Sequence, residues 1–226
     1  MKALEFIAGT VLSLVVLGSS YAAGAGEPGS AHGVVEATSK EVLLLIESSR
    51  EYVDEDPERF FSQVEGLLSP VVDFDGFARG VMSKHYKDAS PEQRTRFSDT
   101  FRTALVRTYA LALTEFREGE VVVLEPNKPP QRPDRELVKM EIRLSPAEIY
   151  PVIYSMKRGG DAQWRGGNII INGINIGLTY RNQFKSAVSN KAYDGDLDRV
   201  IEAWGKVVSA SQEDAEAEPE GSGDRA

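Results

Sequence analysis

The side chains best suited to catalysis are few in this chain. Its 226 residues include two histidines, His32 and His85, and no cysteine. This composition excludes disulfides, thiolate chemistry and cysteine-containing metal sites, and it nearly excludes a site built from several histidines. We expect His32 in a mobile terminus and His85 at the surface, at a helix end. The catalytic hypothesis left open is a buried carboxylate acting as a base, either Asp73 or Asp75.

Charge argues against nucleic acid as a partner. The chain has 35 acidic and 26 basic residues, a net charge of −9, whereas phosphate binding depends on basic surface. Two Arg-Gly-Gly triplets, starting at Arg158 and Arg165, are similar to RNA-binding boxes, but they flank a predicted hairpin turn and are interpreted as turn residues. Between Arg79 and Arg107 the balance reverses, with seven basic against three acidic residues. This segment is either an ordinary solvated helix face or a contact for anionic head groups or a membrane surface.

The two ends of the chain differ from its middle. Residues 1–25 are typical of a secretory signal, because the apolar run at 6–17 is short for a bilayer span and is followed by small residues. An uncleaved anchor is the alternative, and lipidation is excluded by the lack of cysteine. Residues 212–226 are acidic, contain no large apolar residue and are predicted to be a disordered tail. We therefore predict a single domain over residues 26–211, exported to the periplasm.

Apolar spacing and capping signals predict the helices. Asp56 precedes a proline at the first helical position, and Ser90 with Gln93 forms a capping box. The helix that begins after Ser90 is apolar on two sides in its second half, so it should be covered on both sides. The predicted helices span residues 34–46, 57–68, 74–84, 91–118, 176–188 and 197–210.

After Gly119 the apolar period changes from helical to alternating, which predicts strands near residues 121–124, 138–144, 149–156 and 163–171. The last two are apolar in both phases and are expected to be covered on both faces. The order of helices, antiparallel meander and helices predicts an α+β fold, with a helical layer packed on a curved sheet. The many large apolar side chains either fill a core or enclose a pocket for an apolar ligand.

One long motif carries a family resemblance. Residues 84–94, KHYKDASPEQR, continue through Phe97, Phe101 and the segment LVRTYA at 105–110. This stretch closely resembles the toluene-tolerance or MlaC-type family of periplasmic phospholipid-binding proteins. The segments DPERF at 56–60 and PVVDF at 70–74 are similar to upstream elements of that family. Trp164, IIINGINI at 169–176 and YRNQF at 180–184 are similar to its closing strand and helix.

The resemblance implies an NTF2-like fold with a lipid cavity between sheet and helices. It implies a non-enzymatic, soluble carrier without a cofactor, expected to be a monomer, whose cargo is phospholipid. Its partners would be an outer-membrane lipoprotein complex and an inner-membrane ABC transporter with a membrane-anchored substrate-binding subunit. Such a carrier maintains outer-membrane lipid asymmetry and makes transient contact with the membrane surface. Gly167-Asn168 and the segment NGIN at 172–175 depart from the family pattern near the presumed cavity rim.

With this implication, we predict the side chains that line the cavity. They are Phe77, Val81, Phe101, Leu105, Tyr109, Met140, Ile142, Val152, Tyr154, Ile171, Ile174 and Tyr180. Three alternatives stay open: a carrier of a hopanoid-type lipid, an enzyme that uses a buried carboxylate in a similar cavity, and an interaction or chaperone module with a filled core.

Overall fold

The computed structural model describes residues 29–114, 119–126 and 132–205. The helices are Ala31–Ser49 (α1), Pro57–Leu68 (α2), Phe74–Met82 (α3), His85–Asp88 (α4), Pro91–Thr114 (α5), Ile176–Val188 (α6) and residues 197–205 (α7). The strands are Glu120–Val123 (β1), Arg135–Ser145 (β2), Glu148–Arg158 (β3), Trp164–Ile171 (β4) and Ile174–Asn175 (β5). The element order confirms the α+β class. The predicted signal segment and acidic tail lie outside the described residues.

Helix starts follow the capping residues of the sequence. Asp56 accepts a hydrogen bond from the Arg59 backbone N–H at 3.1 Å, at the start of α2. Ser90 Oγ accepts from the Gln93 backbone N–H at 3.2 Å, and Gln93 Oε1 accepts from the Ser90 backbone N–H at 2.9 Å. These bonds satisfy backbone groups that the first turn of a helix leaves unpaired. The predicted capping box of α5 is therefore confirmed.

The five strands form one antiparallel sheet in the order β1-β2-β3-β4-β5. The register pairs Met140 with Val152 and Val152 with Ile171, so these side chains share one face. A register shift in β4 places Gly167 as an extra residue between the pairs formed by Gly166 and Asn168. Such a bulge bends the strand locally and increases its twist.

One face of the sheet is directed at the helices and the other is largely open. Val138 and Val152 on the inward face are 0% and 1% exposed. On the outward face Leu137 and Ile149 are 62% and 45% exposed. The prediction that the third strand is covered on both faces is therefore wrong. A continuous apolar run is compatible with burial on one or two faces, and here only one face is covered at Ile149.

Two apolar clusters make up the core. The sheet cluster joins the start of α1, at Ala31 and Val35, to the inward face of β2, β3 and β4. The helical cluster joins the end of α1 to α2, α3, α5, α6 and α7. Helix α1 contacts α2, β1, β2 and β4, whereas α3 and α6 contact β4. The helical layer is thus attached to the sheet through three of its helices.

Two local predictions need correction. His32 belongs to the first turn of α1, is 7% exposed, and places Nδ1 at 3.1 Å from Glu136 Oε1 on β2. It is therefore a buried contact between helix and sheet, not part of a mobile terminus. The third helix ends at Met82 because Ser83 has a φ of 53°, which α-helix does not permit.

Candidate functional site

The candidate site lies where the two apolar clusters meet. Ile169 and Ile171 of β4 are only half-buried, face inward, and pack against both the sheet cluster and the helical cluster. Their inward neighbours on the sheet, Ile142 and Tyr154, are also half-buried. These half-buried side chains border the apolar region between the sheet and the helices, which is the candidate ligand space.

The helical side of this space is aromatic. Tyr180 of α6 meets the ring of Phe101 on α5 edge-on, with ring centroids 5.4 Å apart and an interplanar angle of 88°. Phe101 meets Phe77 of α3 at 5.2 Å in a similar arrangement. Phe77 and Phe101 are buried, whereas Tyr180 and Tyr109 are half-buried. The two tyrosines therefore form the layer of the helical cluster nearest the space.

Tyr109 and Tyr180 interact through their hydroxyl groups. Burial raises the pKa of both hydroxyls, and the interaction with Tyr180 raises the pKa of Tyr109 further. Both side chains are consequently neutral at physiological pH. A hydrogen bond between two tyrosine hydroxyls uses one of their two O–H donors, so the pair keeps one donor for another acceptor.

Tyr154 supplies a second polar group, on the sheet side. The surrounding protein raises the pKa of Tyr154 to about 12, and the cause is burial alone. Its accessible surface is nevertheless that of a half-buried residue. Tyr154 therefore combines a desolvated environment with a partly accessible side chain, as expected of a residue that borders the candidate space. The site is therefore apolar, with hydroxyl groups on both of its sides that can orient a ligand with oxygen acceptors.

The predicted lining residues separate into three groups. The first is buried in the cores: Phe77, Val81, Phe101 and Leu105 in the helical cluster, with Met140 and Val152 in the sheet cluster. The second is half-buried and borders the space: Tyr109, Ile142, Tyr154, Ile171 and Tyr180. Ile174 lies apart from both clusters, on β5, and is 45% exposed. Contact of these side chains with a ligand stays a prediction.

Three half-buried residues at the same space were not among the predicted lining residues: Ile169, Val121 and Val123. Val121 and Val123 are two residues apart on β1 and so share one face, and the register pairs them with Ile142 and Met140. The valines belong to a run of three valines and Ile169 to a run of three isoleucines. In such runs only the strand register selects the inward side chains.

Two asparagines at positions that depart from the family pattern, Asn168 and Asn175, bind the start of α6. Asn168 Oδ1 accepts from the Gly177 backbone N–H at 2.9 Å, and Asn168 Nδ2 donates to Asn175 Oδ1 at 3.1 Å. Asn175 Oδ1 also accepts from the Leu178 backbone N–H at 2.9 Å. The two asparagines thus form a cap that ties α6 to β4. Tyr180 lies on the first turns of this helix, so the cap also positions one wall of the site.

The carboxylates considered as catalytic bases have structural partners. Asp73 Oδ1 accepts from the Gly76 backbone N–H at 2.8 Å and caps α3. Asp75 is exposed and accepts a hydrogen bond from Ser98. Within the described residues, no group of three or more His, Asp or Glu side chains could hold a metal ion. In the same part of the chain, no helix is both long and apolar enough to cross a membrane.

Fold and site together define an α+β protein with half-buried apolar side chains between its layers. Residues 36–206 match the family model described as MlaC protein, and the chain therefore belongs to the MlaC family. It is 33% identical over 190 residues to the toluene tolerance protein ttg2D of Pseudomonas putida, covering 84% of this chain and 86% of that protein. It is 24% identical over 140 residues to the intermembrane phospholipid transport system binding protein MlaC of Haemophilus influenzae, covering 62% and 61%.

A solved structure has the same fold. It is the phospholipid-binding protein from Ralstonia solanacearum, determined in complex with a phospholipid, with a TM-score of 0.70 and 23% sequence identity. The alignment covers 80% of this chain and 99% of that one. The similarity confirms the helical layer on a curled antiparallel sheet that the sequence predicts.

Proposed function

We propose that this chain is a periplasmic phospholipid carrier without enzymatic activity. The observation that carries the proposal is the band of half-buried apolar side chains between the two clusters, which offers acyl chains an environment similar to the bilayer interior. Burial is worth about 0.8 kcal/mol per methylene group, so only a dry space can compete with a membrane for such a ligand. The names of the P. putida and H. influenzae relatives and the ligand of the R. solanacearum protein support this proposal.

The two polar positions refine the cargo. Tyr180 and Tyr154 present neutral hydroxyl groups to an otherwise apolar space, on opposite layers. An unpaired donor in such a space costs free energy unless the ligand supplies an acceptor. Ester or phosphate oxygens of a glycerophospholipid satisfy this requirement, whereas a polycyclic hydrocarbon skeleton does not. We therefore favour phospholipid over a hopanoid-type cargo.

Native mass spectrometry of the gently purified protein tests the proposal. We expect co-purified lipid of one or a few masses, released as phospholipid on extraction. If the bound masses are those of a polycyclic lipid, the cargo is of the hopanoid type and not phospholipid. A protein that is empty under every gentle condition would overturn the carrier function.

A pair of variants locates the cargo within the fold. Ile169→Glu introduces a carboxylate at the half-buried position shared by both clusters, whereas Ile149→Glu introduces the same group on the open face of the same sheet. Because a charge in a desolvated space is costly, we expect the Ile169 variant to be empty and the Ile149 variant to retain lipid. Circular dichroism first establishes that both variants are folded. Equal lipid retention by two folded variants contradicts binding between the layers.

The place of this carrier in transport is the finer part of the proposal. We assign it to shuttling between an outer-membrane lipoprotein complex and an inner-membrane ABC transporter with a membrane-anchored binding subunit. In this role it acts as a monomer and helps to maintain the lipid asymmetry of the outer membrane. The lipid-loaded protein should then deliver labelled phospholipid to the purified inner-membrane complex in nanodiscs, and not to empty nanodiscs. Equal delivery to both would identify a carrier without this partner.

A further inference from the structure

A group of cations on α3, just before α4 and on α6 has no carboxylate partner in the described part of the chain. Arg79, Lys84, Arg181 and Lys185 are exposed, and none of them forms an ion pair there. Eight other arginines of the described residues lie within 4 Å of a carboxylate, namely Arg96, Arg102, Arg107, Arg132, Arg135, Arg143, Arg165 and Arg199. In a chain of net charge −9, such a group of unpaired cations is available to an external anion.

Contacts between the helices bring these cations together. Helices α3 and α6 pack on each other, and Arg181 Nε donates to the Gly80 carbonyl oxygen at 2.8 Å. The Arg79 guanidinium lies over the ring of Tyr86, 5.5 Å from its centroid. Arg94 lies over the same ring at 4.4 Å and holds the Tyr86 carbonyl at 2.8 Å. The cations therefore project from a fixed framework.

Nearby acidic side chains do not cancel this charge. The exposed acidic residues of α3 and α4 are Asp75 and Asp88, and the hydrogen bond that Asp75 accepts from Ser98 leaves its charge in place. They are outnumbered by the four cations. Lys87, one residue before Asp88, adds a further exposed cation. The local sign is therefore positive, opposite to that of the whole chain.

Two large aliphatic side chains accompany the cations. Leu178 is 49% exposed on the first turn of α6, and Ile174 of β5 is 45% exposed. Leu178, Arg181 and Lys185 are separated by three and four residues, so they follow one side of the helix. Tyr180, on the same helix, borders the candidate site. This surface therefore lies on an element that also forms the wall of the ligand space.

Exposed aliphatic groups beside unpaired cations are the composition of a surface that rests on an anionic bilayer. We propose that Arg79, Lys84, Ile174, Leu178, Arg181 and Lys185, the docking face, bind the anionic lipid surface of a membrane while cargo is exchanged. The inference rests on the proposed carrier function. A bilayer is favoured over an acidic protein because the face joins lysine and arginine to aliphatic side chains that can enter the acyl boundary. Because the chain as a whole has a net charge of −9, an anionic membrane repels it at long range, and binding needs a local positive surface such as this one.

Vesicle sedimentation with the full chain tests this proposal. The probes are phosphatidylethanolamine vesicles with and without phosphatidylglycerol, at low and at high salt. We expect binding that requires phosphatidylglycerol and is lost at high salt, because the attraction is screened. Each removed cation should weaken binding about fivefold, so the double variant Arg181→Gln, Lys185→Gln should bind about 25-fold more weakly.

A matched variant, Lys139→Gln with Lys157→Gln, removes two exposed cations from the outward face of the sheet and should bind like the parent. Equal weakening of both variants, or no binding to anionic vesicles at low salt, overturns the docking face. If the Arg181, Lys185 variant binds vesicles normally but no longer delivers lipid to the inner-membrane complex, the face contacts protein and the membrane proposal is wrong. Native mass spectrometry of the same variant separates this failure from that of the carrier function, because its lipid should be retained.

Discussion

Replacing Gly177 with alanine should loosen the attachment of α6 to the sheet. A Cβ atom at this position would lie 2.5 Å from Asn168 Oδ1 and 3.1 Å from Phe77 Cε2. Both distances are too short for an undisturbed contact. Asn168 must therefore rotate away, and it then loses the hydrogen bonds to the Gly177 N–H and to Asn175.

The expected magnitude follows from these contacts. Each lost hydrogen bond costs about 1 kcal/mol, and the shift of Phe77 adds to this cost. Alanine returns roughly 0.5–1 kcal/mol, because glycine is a poor helix former. The net loss of unfolding free energy should be about 1–2 kcal/mol. Gly66 of α2 is the control, since a Cβ atom there meets nothing within 4 Å and Gly66→Ala should stabilise by about 0.5–1 kcal/mol.

Urea denaturation followed by circular dichroism measures both variants, and the thermal midpoint provides a second readout. For a domain of this size, 1 kcal/mol corresponds to roughly 2–4 °C, so the two midpoints should differ by about 3–12 °C. The assignment to Asn168 is tested by repeating Gly177→Ala in an Asn168→Ala background, where the penalty should largely disappear. The reasoning fails if Gly177→Ala is as harmless as Gly66→Ala, or if the penalty is unchanged without Asn168.

Three further outcomes are expected. His32→Ala should lower the unfolding free energy by about 1–3 kcal/mol, because it leaves the Glu136 carboxylate buried without its partner. Lys40→Ala removes an exposed ion pair within α1 and should cost less than about 0.5 kcal/mol. Equal costs in urea titrations of the two variants would contradict this expectation. The pKa of Tyr154 is about 12 in the folded protein against about 10 in the unfolded chain, so its stabilising contribution is full below pH 10 and is lost as the pH rises through 12. The denaturation midpoint of Tyr154→Phe should therefore fall less steeply over this pH interval than the midpoint of the parent protein. Parallel curves for the two proteins refute this expectation. Ser90→Ala removes the cap of α5 and should lower the unfolding free energy by about 1 kcal/mol. The thermal midpoint should then fall by a few degrees. An unchanged midpoint shows that the cap is not needed.

Local signals explain which parts of the fold could be predicted from sequence. The caps at Asp56 and Ser90 and the bounds of α6 depend on residues within one turn of each helix, and they were predicted correctly. The burial of His32 could not be predicted in this way, because its partner Glu136 lies on a strand more than a hundred residues later. The end of α3 depends on a positive φ at Ser83, for which the residue type gives no signal.

The candidate site was predictable as a region but not as a surface. Periodicity shows which side of an element points inward, and this placed Phe101 correctly in the interior. It does not distinguish a side chain packed on all sides, such as Phe101, from one that borders a space, such as Tyr180. That distinction depends on how far the two layers stand apart, which is a property of the whole packing arrangement.

The separation of the two clusters explains how such a protein can release its cargo without unfolding. The helical cluster is built around a set of aromatic rings on α5, α6 and α7, with Phe97 contacting Phe101, Phe184 and Trp204 at centroid distances between 4.8 and 5.7 Å. Phe97 and Phe184 are fully buried. Their packing contributes to stability whether or not a ligand is present, because none of these rings needs the ligand to complete its contacts. The half-buried side chains of Tyr109, Tyr180 and the inward isoleucines can then lose and regain contact with the ligand. The helical cluster and the sheet cluster on either side of them stay intact.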